Sequence, residues 1–172
     1  MLLLTTALRW TVTRRYDYVG PEGIRSRAAS APAGLKVTSV HDLEKWIIQT
    51  NQDGLIVVTF VVNEQGKLLV ADRSSEHISC SGGHAVLSAG EMVFSVSNST
   101  VEVVDVSNQS TGFCPEPESW PAVATALDRI GIPHPGRFTQ EVVFRRCPTC
   151  GQRNIVKDGC TILERKETTA AA

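Results

Sequence analysis

Cys147 and Cys150, with Pro148, Thr149 and Gly151 around them, have the spacing that sets two thiolates on one side of a single tetrahedral metal ion. The Gly lets the chain turn backbone amides toward the sulfurs. A closed zinc site takes four ligands, and the third thiol downstream is Cys160. Leu163 stands where a Cys-x-x-Cys partner of Cys160 would fall, and no His follows Cys150. The metal ligands expected are therefore Cys147, Cys150 and Cys160, with zinc as the cofactor. Cys114 and His134 are the candidates for the fourth position.

A second group of reactive types lies in the middle of the chain. His77 and His84 flank the loop Ser79-Cys80-Ser81-Gly82-Gly83, and Glu91 follows at the start of a strand-like run. His77 beside Glu76 has the makings of a carboxylate-oriented general base. Cys80 is the nucleophile such a base would activate, because a thiol needs a neighbouring His or a positive field to ionise. The plainer reading makes the two His loop residues on the surface, Cys80 a small buried thiol and Glu91 a solvated carboxylate. The catalytic candidates are thus His77, Glu91 and Cys80. No Gly-rich phosphate loop, Ser nucleophile elbow or His-x-x-x-His pair is present. Arg145, Arg146, Arg153 and Lys157 make the cysteine element locally basic, without the interleaved aromatics that stack bases.

These groups need elements to hold them. Ser39 and Asp42 have capping-box spacing ahead of Leu43, Trp46 and Ile47, which share one helical face. Leu55 to Val62, then Asn63-Glu64-Gln65-Gly66, then Lys67 to Ala71, reads as a hairpin whose first strand is apolar on both faces and so central. Met92 to Val96 and Val101 to Val106 form a second hairpin by alternation. Ser119 is placed to cap a helix carrying Trp120, Val123, Leu127 and Ile130, with Gly131 just past its end. Thr139 to Arg146 is a strand leading into Cys147, and Asn154 to Val156 with Thr161 to Leu163 is a short closing hairpin. The divisions expected are an N-terminal segment and linker over 1–34, an α+β core over 35–146, a metal element over 147–163 and a tail over 164–172.

The chain has 172 residues and a formal charge of −1. It is long enough to bury one core and shows no bulk basic footprint for nucleic acid. Five Cys, an odd number with one tight pair, suit metal binding in a reducing compartment better than a disulfide framework. The expected location is the cytoplasm. Met1 to Arg15 carries three Arg and no acid, so a mitochondrial transit segment is the alternative. No run approaches the ~20 apolar residues of a membrane span.

The order His77-Ile78-Ser79, Gly83, Ala89-Gly90-Glu91-Met92 and Ser107 to Pro115 resembles a module of plant IQ-motif calmodulin-binding proteins and bacterial effectors. With Cys147 to Gly151, the whole resembles an uncharacterised bacterial family with a zinc-ribbon-like C-terminus. That module has Gly-His-Tyr-x where this chain has Thr111-Gly112-Phe113-Cys114, so its His and phenol are missing here. The fold expected is α+β: an antiparallel sheet of two hairpins, two covering helices and a small zinc-ribbon-like C-terminal hairpin. The function expected is a non-enzymatic protein-binding or regulatory module with a protein partner, no nucleic acid and no membrane. The alternative is an enzyme with a His/Glu/Cys site at the 76–91 and 107–115 loops.

Overall fold

The computed structural model describes residues 14–50, 54–97, 100–157 and 160–161. Its elements are α1 (Glu22–Ala28), β1 (Leu35–Val37), α2 (Val40–Thr50), β2 (Gly54–Asn63), β3 (Leu68–Asp72), α3 (His77–Cys80), β4 (Val86–Ser97) and β5 (Thr100–Val106). A 3-10 turn (Pro117–Ser119), α4 (Trp120–Ile130), β6 (Val143–Arg146), β7 (Arg153–Lys157) and β8 (Cys160–Thr161) complete the order. The fold is α+β. Five antiparallel strands run β1-β3-β2-β4-β5, and β6-β7-β8 make a separate small sheet. Among the described residues no helix is long and apolar enough to cross a membrane.

β2 is central, as its apolar run demands. Gly66 supplies the left-handed turn at φ 69°, while the Asn63 side-chain oxygen accepts from the amides of Gln65 and Lys67. The even residues Ile56, Val58, Phe60 and Val62 pack with Met92 and Phe94 under α2 and α4. Both helices therefore cover the same sheet face. The capping box of α2 is complete: Ser39 N–H donates to Asp42 at 3.0 Å, and Asp42 N–H donates to Ser39 Oγ at 3.3 Å. Ser119 departs from expectation. It precedes α4, but its hydroxyl meets Ser88 Oγ at 2.9 Å instead of a helix amide, and the 3-10 turn begins the helix in its place. Gly131 ends α4 at φ 75°.

The opposite face carries a second core of Val61, Leu69, Val86 and Ala89 beneath Ile78, Cys80 and Phe113. Residues before β1 contribute to it. Tyr16 is buried and pairs with Val86, and Tyr18 meets Phe113 edge to face at 5.6 Å. The strand expected over Thr139 to Arg146 is shorter, because Thr139 and Gln140 turn back to bond the end of β5 before β6 starts at Val143.

Candidate functional site

The second sheet face ends in an open cleft of about 280 Å³ bordered by Thr59, Arg73, His77, Glu91, Gln109 and Thr111, with Ser74, Ser75 and Glu76 on its rim. Three segments build it. After β3, Asp72 forms an Asx turn, its carboxylate accepting from Ser74 N–H at 2.9 Å and Ser74 Oγ at 2.5 Å. Those hydrogen bonds hold the Asp72 carboxyl below the usual range. The Thr59 hydroxyl lies 3.2 Å from Ser75 O and 3.3 Å from Arg73 O, so it donates to this turn from the centre of the sheet. The turn then delivers His77 as the first residue of α3.

His77 Nε2 lies 3.0 Å from Gly90 O. A carbonyl only accepts, so Nε2 carries the proton and Nδ1 keeps its lone pair. Burial pushes the imidazole pKa down, against the opposing pull of the Gly90 carbonyl and the Glu91 and Glu76 carboxylates. A pKa below the ordinary 6.5 favours the neutral ring at pH 7. Glu91, the next residue along β4, is partly exposed and sits 3.9 Å from Arg73 Nε, a loose ion pair of small worth.

The third segment is the loop after β5. Asn108 is fully buried and donates to Pro115 O at 2.8 Å and Val142 O at 2.7 Å, while its oxygen accepts from Val142 N–H at 2.7 Å. That amide pins both ends of the loop. Cys114 takes a left-handed φ of 49°, and Phe113 drives into the second core, which leaves Gln109 and Thr111 facing the cleft.

Of the catalytic candidates, His77 and Glu91 meet in the cleft and Cys80 does not. Cys80, the last residue of α3, packs in the second core, its S–H directed at Leu69 O, and burial pushes its pKa up to about 12. Such a thiol is not a nucleophile at neutral pH. Cys114 is also buried, bonded to Thr111 O, and raised by burial against the lowering influence of Arg153. His84 is exposed outside the cleft lining. Thr59, Arg73 and Gln109 were not singled out by sequence. The available signal was parity: Thr59 shares the odd face of β2 with Leu55, Val57 and Val61, a polar residue in an apolar strand.

The Cys147–Cys150 turn lies between β6 and β7. Cys147 N–H donates to Gln152 O at 2.7 Å, Gly151 N–H donates to Cys147 O at 2.9 Å, and Gly151 takes φ 72°. The Cys147 sulfur accepts from the amides of Cys150 and Thr149 and meets the Cys150 thiol, and these contacts lower its pKa. Amides aimed at the Cys147 sulfur stabilise its thiolate form. Among the described residues no group of three or more His, Cys, Asp or Glu could hold a metal ion. Cys160 pairs with Lys157 and the knuckle adjoins Arg153, so the backbone of Cys160 lies at the other end of β7, roughly 13 Å of strand away. The Cys160 side chain is outside what is described. His134 is engaged elsewhere, its Nε2 at 3.1 Å from Asp128 and its Nδ1 accepting from Gly136 N–H.

The chain matches no family model, no curated protein and no solved structure.

Proposed function

We propose that this protein is a binding module that takes a polar segment of a partner protein into the cleft around His77 and Glu91. The observation that carries the reading is the convergence of His77, Glu91, Thr59, Gln109 and Thr111 on one open polar cleft with no ionisable thiol beside them. A neutral imidazole with a free Nδ1 accepts a hydrogen bond, and Glu91 accepts another or pairs with a cation. Gln109 and Thr111 both donate and accept. The departure at Thr111 to Cys114 from the module's Gly-His-Tyr-x accords with binding, since the groups that could move protons there are absent. Free thiols among the described residues, from buried Cys80 and Cys114 to exposed Cys150, suit a reducing compartment, and we place the protein in the cytoplasm.

A second reading has one observation in its favour. A neutral His77 beside Glu91 has the form of a general base, so proton abstraction without a covalent intermediate is the enzymatic alternative. In both readings we take the Cys147–Cys150 turn as a metal knuckle, with zinc held through thiolates. Its role would be to fix the small sheet.

The test is quantitative affinity capture with the full chain, comparing wild type with Glu91→Lys and with His77→Gln. A partner retained by wild type and lost in both variants is expected. An identical set of captured proteins from all three overturns the cleft as the binding site.

A further inference from the structure

The helices cover the first sheet face along its whole length, but the second face is covered over only half of its own. Paired residues in antiparallel strands point to the same side, so the register reads out the rows of this face. Val61 and Ala89 form a buried row under α3 and Phe113. Thr59 and Glu91 form the next, at the cleft. Beyond it Val57 pairs with Val93, which pairs with Asp105, and Leu55 pairs with Ser95, which pairs with Glu102. Along these last two rows Leu55 is 69% exposed and Val104, the extra residue of the β4–β5 bulge, is 41% exposed, while Val57 and Val93 between them are half-buried and Asp105 is held at the edge by Thr139 and Gln140. On the other face of the same strands Ile56 and Phe94 are 1% and 0% exposed.

We infer that this strip, with Leu55 and Val104 exposed and Val57 and Val93 half-buried between them, is the docking face for a short amphipathic helix of a partner protein with Lys or Arg flanking its apolar stripe. The inference rests on the binding reading above and extends it to the kind of partner. Width and charge select the occupant. Three strands span roughly 10 Å between their outer axes, the diameter of one helix with its side chains. Glu102 lies at one end of the strip, Asp105 beside Val93, and Glu91 and Glu76 at the other end; among the described residues of this rim Arg73 is the one base, so the rim is acidic and favours a basic stripe.

The experiment is a methyl and amide NMR titration of the full chain with three synthetic 14-residue peptides. One is a helix of Leu, Ala and Lys with Leu at i, i+3, i+7 and i+10 and Lys beside the stripe. The second has Glu for Lys, and the third is the first scrambled. The basic helix is expected to saturate with shifts at Leu55, Val57, Val93 and Val104, at least tenfold more tightly than either control. Val104→Asp, at an exposed bulge, should weaken it at least tenfold without unfolding the sheet, and Glu91→Lys with Glu102→Lys should reverse the preference between basic and acidic peptides. No saturable binding, equal binding of the controls, or shifts confined elsewhere overturns the inference. So do concentration-dependent shifts of the same methyls without peptide, which mean a second copy, and their movement on deleting residues 1–13, which means an internal cover. His77→Gln perturbs the cleft alone and should leave peptide affinity within twofold, so failure of the cleft reading and failure of this face are read separately.

Discussion

Replacing Gly90 by Ala should disable the cleft and destabilise the sheet together. A Cβ built on Gly90 meets Ser107 O at 1.9 Å, Ser107 C at 2.8 Å and Asn108 Cα at 3.1 Å. All three atoms are backbone, so no side chain can swing aside. Ordinary contact begins at 3.4 Å, and β4 must part from the 107–108 segment by about 1.5 Å to reach it. That movement breaks the 2.9 Å bond from Ser107 N–H to Glu91 O and draws Gly90 O away from His77 Nε2. Overpacking costs about 1–3 kcal/mol. Two lost hydrogen bonds add about 1 kcal/mol each, giving a total of about 3–5 kcal/mol. Urea denaturation followed by circular dichroism measures the loss, and the His77 ring resonances report the broken contact. A loss under about 1 kcal/mol with unshifted His77 resonances would refute the close approach on which the site is built.

The thiols should separate by reactivity. Cys80 and Cys114 should resist alkylation in the folded protein while Cys147 reacts first as pH rises, read site by site by mass spectrometry; fast labelling of Cys80 at neutral pH contradicts its burial. Gly131→Ala should cost about 1 kcal/mol through its left-handed φ alone, since nothing lies within 4 Å of the added carbon, and an unchanged melting temperature refutes the cap. The depressed pKa of His77 ties stability to pH. Its contribution is complete above the unfolded value of 6.5 and falls away as pH drops toward the folded pKa, because the unfolded chain takes up a proton that the folded one refuses. His77→Gln should flatten that part of the stability profile, and an equally steep profile in the variant assigns the slope to another group.

Local signals were legible where they act locally. The Ser39–Asp42 box, the Gly66 turn and the Gly131 cap each rest on a few neighbouring residues, and each forms. The first hairpin was legible from its apolar run and the Asn63 to Gly66 turn, the second from alternation, and the central place of β2 from its unbroken apolar run. What stayed hidden depends on distant partners. β1 has three residues and exists through its pairing with β3, and the Ser119 hydroxyl turns to Ser88 across the molecule instead of to its own helix. His77 and Glu91 were visible as reactive types. Their convergence with Gln109 and Thr111 depends on Asn108, whose side chain spans to Val142, 34 positions along the chain. Cys80 looked like a nucleophile because it stands three residues from His77. The structure engages them apart: His77, at the start of α3, reaches Gly90 O at the cleft, while Cys80, at its end, packs in the second core and meets Leu69 O.

Binding in the cleft depends on a neutral His77, held by Gly90 and open to a ligand at Nδ1. Nitrogen-15 NMR of the His ring nitrogens across pH, on the full chain, tests this most directly. The expected result is one neutral tautomer with the proton on Nε2 at pH 7 and a titration midpoint below 6.5. A doubly protonated ring at pH 7, or a neutral ring with its proton on Nδ1, would contradict it.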